Sequence, residues 1–438
     1  ETARLVGRLA GGKANPAPAR TVGPRAMSRR VLIVTNGHLC RNPRVLKEAE
    51  ALGRAGYDVT VLSLRNHAPS VALDAQLAAG APFHHEEVNL LPGAGPQAFR
   101  RRLLVWGARQ AVGRLGSQSL SALGPAGSLL RRARRHAADL IIVHNELAHG
   151  VGLRLHAEGR LVRADIEDWH SEDLLPADRQ QRPMALLRRQ ESGLLNRLTG
   201  TTTTSRALAD ALHARYGGTR PQVITNSFPL QPDPRTARDG PAEAPAFFWF
   251  SQRLGPGRGL EEFLSAWQLT TRTSRVVLLG EPAANYREAL LARLPVDRRA
   301  AVSFLDCVAP AALPSLIARH DIGLALEGSE LPSRDLTITN KILQYLNAGL
   351  AVVASNTAGQ REVLARGPDA GLLVRPSEAP SFAMTLDSLL ASSEALRRRQ
   401  HAARQLAESV YCWEREAPRL VALVESTLRS RIESPSTG

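Results

Sequence analysis

Lysine is almost missing from this 438-residue chain: of its 56 basic residues only Lys13, Lys47 and Lys341 are lysine, and the other 53 are arginine. A chain-wide preference of that kind spreads positive charge without reference to any one site, so the net charge of +15 does not by itself designate a nucleic-acid partner. No recognised nucleic-acid module accompanies the charge, and nucleic acid is not an expected partner. Cysteine is scarce as well. Cys40, Cys307 and Cys412 are far apart, odd in number and without metal-ligand spacing, the pattern of idle thiols in a reducing cytoplasm. No metal and no cofactor are expected. No apolar run approaches the ~18–20 residues a membrane-spanning helix needs, so a soluble, cytoplasmic protein is expected. The turn after the first apolar run holds one glycine, Gly37, which sets aside the G-x-G-x-x-G fingerprint of a nicotinamide dehydrogenase. Acid is absent between Glu87 and Asp139, a stretch that carries Arg100, Arg101, Arg102, Arg109, Arg114, Arg131, Arg132, Arg134 and Arg135 around Leu103-Leu104-Val105-Trp106. Two readings stand there: a basic surface for an anionic membrane, with Arg100, Arg101, Arg102 and Arg109 as its contacts, or a solvated helical face.

What is present describes two domains. The length exceeds what one core usually serves, and 43% hydrophobic with 22% charged residues is a globular mixture. Residues 1–26 are basic and rich in Gly, Pro and Ala, and read as a disordered extension ahead of Met27. The first domain, 27–228, alternates strand and helix patterns: VLIVT (31–35), a helix over 44–55, then VTVLSL (59–64), DLIIVH (139–144), RADIED (163–168) and LTGTTTT (198–204). A stretch dense in Pro, Gly and Asp makes 229–245 a linker. The second domain, 246–409, repeats the alternation with AFFWFS, RVVLLG, VSFLD, IGLALE, AVVAS and GLLV, and 410–438 forms a closing helix and tail. Short apolar strands alternating with helices imply parallel sheets covered on both faces, with ligand in a cleft at the carboxyl ends of the strands.

Three motifs fall at such ends. In S-Q-R-L-G-P-G-R-G-L (251–260), Arg253 and Arg258 flank a Gly-Pro-Gly turn that opens a helix at Gly259. Two guanidinium forks beside a helix start suit a diphosphate. In S-R-D-L-T-I-T-N-K-I-L-Q-Y-L-N-A-G (333–349), Thr339, Asn340 and Lys341 offer hydroxyl, amide and ammonium donors beside unpaired backbone N–H groups, with N-capping as a compatible role. In the first domain, Asn36, Gly37 and His38 follow the first strand, and Asp168, His170 and Glu172 follow RADIED. A carboxylate and an imidazole can together position or deprotonate a hydroxyl, or His170 can serve the loop alone.

These segments resemble the retaining GT-B glycosyltransferases of glycosyltransferase family 4. The family's G-R-L-x-x-x-K-G is matched by Gln252-Arg253-Leu254 and Arg258-Gly259, with arginine in place of lysine. Its E-x7-E region, running into A-x-A-x-G-x-P-V-V, is matched by 344–353, but Leu336 and Gln344 stand where the two glutamates belong. Asn340, Lys341, Tyr345 and Gly349 fit an N-K-x-x-x-Y-x-x-x-G variant of that region, and N-P-R-V-L-K-E-A-E (42–50) and Val410–Glu414 resemble the family's opening and its returning tail helix.

The resemblance implies a GT-B architecture, two Rossmann-like domains whose parallel sheets face across a cleft. It implies transfer of a sugar, with retention, from a nucleotide-diphosphate sugar to a glycan or lipid-linked glycan of the cell envelope. Arg253, Arg258, Gly259, Thr339, Asn340, Lys341 and Gln344 would bind the donor, Gln344 replacing the ribose-binding glutamate. Asp168 and His170 would be catalytic, and Asn36, Gly37 and His38 would form the acceptor or donor-sugar loop. The protein would be cytoplasmic or peripheral on the inner face of the membrane. A GT-B nucleotide-sugar epimerase and a non-catalytic sugar- or lipid-binding protein are the alternatives, the latter because both glutamates are lost.

Overall fold

A computed structural model of the chain describes residues 29–232 and 244–433. The expected extension 1–26 and most of the expected linker, 233–243, lie outside the described residues. The first sheet comprises β1 (Arg30–Thr35), β2 (Asp58–Arg65), β3 (His84–Asn89), β4 (Leu140–His144), β5 (Val162–Ile166), β6 (Thr201–Thr203) and β7 (Gln222–Val223), in the order β3-β2-β1-β4-β5-β6-β7. Every pairing in it is parallel. The second comprises β8 (Ala246–Leu254), β9 (Arg275–Pro282), β10 (Val302–Leu305), β11 (Ile322–Ala325), β12 (Ala351–Ser355) and β13 (Gly371–Val374), in the order β10-β9-β8-β11-β12-β13, again all parallel.

Both orders reverse direction once, between β1 and β4 and between β8 and β11, which opens a crevice at the carboxyl ends of those strands. The architecture is GT-B, as the resemblance implied. Burial explains why the strands are legible: β4, β5, β11 and β12 are covered on both faces and are buried throughout. The strand β3, His-His-Glu-Glu-Val-Asn, was not expected. It is a polar edge strand with only Val88 buried, so it carries no apolar run to detect. In β11 the glycine is dictated by packing. A Cβ on Gly323 would lie 2.2 Å from Cγ of the buried Tyr345, whose ring fills the space over the strand.

The chain crosses between the domains twice, at 224–231 and at 410–413. The crossings touch, with Trp413 N donating to Phe228 O at 3.0 Å and a parallel bridge joining Phe228 to Cys412. The helix Trp413–Glu433 then lies on the first domain. Val424 and Leu428 enter the core formed by Val31, Ile33 and Val45, and Arg163 Nη1 donates to Thr427 Oγ1 at 2.6 Å. Replacing Leu428 by Ala should therefore destabilise the first domain by about 2–5 kcal/mol, the usual range for a buried leucine. Chemical denaturation followed by tryptophan fluorescence measures this, and an unchanged midpoint would show that the helix is not integral to that core.

Candidate active site

Where the two sheets meet, a cavity of about 230 Å³ lies at the carboxyl ends of their strands. Asp168 and Asp173 line it from the first domain. Arg258, Glu327, Ser333, Arg334, Thr337 and Thr339 line it from the second. Hydrogen bonds across the interface fix its walls: Trp169 N donates to Ser333 Oγ at 3.1 Å, and Ser205 Oγ donates to Leu336 O at 2.6 Å.

On the second domain's side the helix Asn340–Asn347 begins at Thr339, whose Oγ1 accepts from Ile342 N at 3.4 Å. Its first turn holds no acid, so the positive end of the helix is left unopposed from within. Lys341 Nζ donates to Glu327 Oε1 at 2.8 Å and stands over the Trp249 ring, 5.2 Å from its centre. Arg258 Nη1 donates to the other oxygen, Oε2, at 3.0 Å. Burial raises the pKa of Glu327, but Lys341 and Arg258 outweigh it and hold the carboxyl below its ordinary value.

Of the expected donor residues, Arg258 and Thr339 line the cavity, Lys341 is buried behind it on Glu327, and Gly259 caps the next helix at φ 75°. Arg253, Asn340 and Gln344 are not in the cavity lining either. Arg253 is exposed at the end of β8, with no ion-pair partner among the described residues, whereas Arg258 is bonded to Glu327. Asn340 is exposed and accepts from Asn226 Nδ2 at 2.9 Å, while Gln344 is half-buried further along the helix. The helix after Gly259 opens with Glu261 and Glu262, which already oppose its positive end.

On the first domain's side, Asp168 faces the cavity with no side-chain hydrogen bond among the described residues. Burial, and then the neighbouring Glu167, push its pKa up to about 7. Burial also raises Asp173, which lies 3.8 Å from Arg334 across the interface. His170 does not line the cavity. Its Nδ1 is 3.7 Å from Glu146 Oε2, and its ring lies 5.6 Å from that of the buried His149. The partner of His170 is thus a glutamate from the helix Asn145–Ala157, not Glu172, which faces Arg179 and Arg188 at 3.4 and 3.6 Å. Against the opposing effect of burial, His170 and Arg182 lower Glu146 to about 2.

His38 corrects an expectation. It is 3% exposed; its Nε2 accepts from the backbone of Asn66 and His67 at 3.3 and 3.1 Å, and its Nδ1 donates to Asp74 Oδ2 at 2.5 Å. With both nitrogens engaged the ring clamps its own loop and offers nothing to a sugar. It shares a His38–Asp74–Glu87 group whose ligand atoms lie within 4.8 Å of one another, but those hydrogen bonds already account for the histidine. Asn36 and Gly37 do follow β1 as expected, and the buried Asn36 Oδ1 has no hydrogen-bond partner among the described residues. Beside them, Asn145 adopts a left-handed backbone, φ 68°, and accepts from Thr35 Oγ1 at 2.7 Å. Glu327, Glu146 and Asp173 were not anticipated. Only Glu327 left a signal, an acid directly after the apolar run IGLAL.

Residues 44–231 match the family model described as Glycosyltransferase Family 4, and residues 246–392 match Glycosyl transferases group 1. The chain is 29% identical over 125 residues, 28% of its length, to spore coat protein SA of Bacillus subtilis, and the match spans about a third of that protein. Among solved structures it resembles sucrose-phosphate synthase from Thermosynechococcus elongatus, with a TM-score of 0.67, 16% identity, and coverage of 92% of this chain and 100% of that one. It also resembles HepE of Anabaena in complex with UDP and glucose, with a TM-score of 0.65, 19% identity and the same coverage. With a glycosyltransferase model matching each half and the cleft between two doubly wound sheets, the protein is a glycosyltransferase of the GT-B type.

Proposed function

We propose that the cavity binds a nucleotide-diphosphate sugar and transfers the sugar, with retention of configuration, to a glycan or lipid-linked glycan of a cell-envelope polysaccharide. One observation carries this reading: Arg258, the Glu327 carboxylate it shares with Lys341, and the start of an acid-free helix line one cavity with Asp168, whose carboxyl has no hydrogen bond among the described residues. Phosphate oxygens would sit against Arg258, Lys341 and the Thr339–Asn340 helix start. Arg253, exposed and without an ion pair among the described residues, would be a further cation to join them. Gln344 would meet a nucleotide hydroxyl, and no metal or cofactor is required when arginine and lysine carry the charge. Asp168 would position or deprotonate the acceptor hydroxyl, with His170 behind it and the Asn36–Gly37 turn shaping the sugar side. The Anabaena structures with UDP and UDP-glucose make UDP the first nucleotide to test.

Lys341→Ala should lower kcat/KM by roughly 10²–10³, the scale of losing one charge-stabilising donor, with folding intact. Transfer at the wild-type rate would remove the phosphates from this position. Incubating the protein with UDP-glucose and no acceptor separates transfer from epimerisation, because an epimerase would convert the sugar and a transferase would not.

Asp168→Asn should lower kcat by roughly 10²–10⁴ with nucleotide affinity kept, and should abolish the rise of kcat through pH 7 that a carboxylate base gives. The stability effect has the opposite sign. The folded pKa of about 7 lies above the ordinary value of 3.8, so ionising Asp168 costs stability progressively as pH rises between those values. Asp168→Asn should therefore raise Tm at pH 8 and not at pH 3. An unchanged kcat profile would remove Asp168 from the reaction.

We further propose that the first domain rests on an anionic membrane, at the inner face, through the helix Pro96–Leu115. Phe99, Leu103 and Trp106 are 63%, 52% and 61% exposed and share one helical face at i, i+4, i+7 spacing, flanked by the exposed Arg100 and Arg102. Arg101 and Arg109 donate to Asn89 O and Ala122 O, which ties part of each guanidinium to the protein, although Arg109 stays exposed. Each basic residue near such a surface is worth about 1 kcal/mol, so the apolar face must supply much of the affinity. Co-sedimentation with phosphatidylserine vesicles should fall with added salt, and fall again when Leu103 and Trp106 become Glu. No binding at low salt would make the face a solvated one and the acceptor a soluble glycan.

A further inference from the structure

The family pattern places its acids on and just before the helix Asn340–Asn347, where this chain has Leu336 and Gln344. The carboxylate that reaches the donor side of the cavity comes instead from Glu327, just beyond the end of β11. It is 6% exposed, its backbone N donates to Ser355 Oγ at 3.0 Å, and its two oxygens are divided between two cations. The cations are not held alike. Lys341 is buried and hemmed by Trp249, at 2.8 Å. Arg258 is held by one nitrogen at 3.0 Å, and its side chain is 37% exposed. Its backbone lies between Gly257 and Gly259, both left-handed at φ 76° and 75°. A side chain carried between two such glycines on an exposed turn can swing where Lys341 cannot.

We propose that Glu327 is the positioning residue of the donor site, holding Lys341 in place and surrendering Arg258 to the diphosphate when it enters. The inference rests on the donor-phosphate reading above. Here the carboxylate occupies both cations, so the three groups present a single net positive charge. When a diphosphate takes Arg258, Glu327 stays on Lys341 as a like charge close to the phosphates in a poorly solvated site. Such repulsion weakens ground-state binding and favours departure of the nucleotide left after transfer. Glu327 makes no contact with the reacting atoms in this scheme. Its effect passes through Arg258 and Lys341.

The test is isothermal titration of the full chain with UDP, GDP, ADP, dTDP and inorganic pyrophosphate, for wild type and E327Q, together with kcat, KM and Tm. Glutamine keeps one acceptor and removes the charge. E327Q should bind the active nucleotide about tenfold tighter and turn over more slowly, since a charged hydrogen-bond partner has been freed for the ligand. A merely structural role would move affinity and turnover down together, and tightening with slowing is the signature it does not give. Equal or weaker binding in a variant with the wild-type Tm overturns the proposal. If the wild type binds none of the nucleotides and no pyrophosphate, the donor-site reading fails instead, and the two failures are distinct. Should E327Q not fold, E327D keeps the charge but falls one carbon short of Arg258. Binding tighter by severalfold is then expected, and binding no tighter overturns the proposal.

Discussion

One ammonium group fixes how the two sheets face each other. Lys47 Nζ donates to Asn226 O at 3.1 Å, to Asn226 Oδ1 at 2.8 Å and to Ser227 O, where the chain leaves the first domain. It lies 4.4 Å from the ring centre of Phe228 and 5.1 Å from that of Trp413, so both crossings close around it. Burial, and then the nearby Arg44, lower its pKa to about 7, while Glu167 and Glu416 oppose the shift. A buried cation is tolerated only when its donors are satisfied, and here three oxygens and two aromatic faces satisfy it. The same contacts order Asn226, whose Nδ2 donates to Glu167 Oε1 at 3.1 Å and to Asn340 Oδ1 at 2.9 Å. The hinge is thereby tied directly to the start of the helix Asn340–Asn347 on one side and to the residue before Asp168 on the other.

Opposite the hinge, the interface is held by groups of another kind. Glu362 of the second domain accepts from Arg206 N and Ala207 N at 2.8 and 3.1 Å, capping the helix Arg206–Tyr216 of the first. With Trp169–Ser333 and Ser205–Leu336 these are hydrogen bonds among turns and helix ends, and Leu336 of the second domain packs against the core of the first beside them. The two sides of the interface therefore differ in kind: a buried ammonium caged by both crossings at Lys47, and helix-end hydrogen bonds with one apolar contact at Glu362, Ser333 and Leu336.

Most of the architecture was legible because parallel strands buried on both faces must be apolar, and VLIVT, LIIVH, IGLA and AVVAS are. The polar edge strand β3 and the two-residue β7 escape that test, since neither is a buried apolar run. The site was legible in halves. Arg258, Thr339, Lys341 and Asp168 sit at strand ends or helix starts, and sequence spacing alone places them there. His170 and Glu146 lie 24 positions apart on different elements, and only the fold sets them 3.7 Å apart. His38 misled for the same reason. Its place after β1 pointed to the cleft, but Asp74 on another helix turned the ring inward. Glu327 was hidden by the motif itself, which directs attention to positions 336 and 344 while the acid stands at the end of β11.

The scarcity of lysine acquires a physical meaning in these terms. Where the buried Asp165 carboxylate presents its edge, the chain uses arginine: Arg44 Nε and Nη2 meet its two oxygens at 2.8 and 2.5 Å, a planar fork on a planar acceptor. The oxygens around Lys47 belong to two carbonyls and an amide that converge from different directions. A compact ammonium with rotatable donors satisfies such a cage, and a flat guanidinium would not fit it. Lys341 is the same choice beside the cavity. Its Nζ has three donors, of which Glu327 takes one, and a point charge at the start of an acid-free helix leaves the others to be turned where a rigid fork could not. In a chain that otherwise writes arginine, the two described lysines mark the two places where cations must answer to geometry other than a plane.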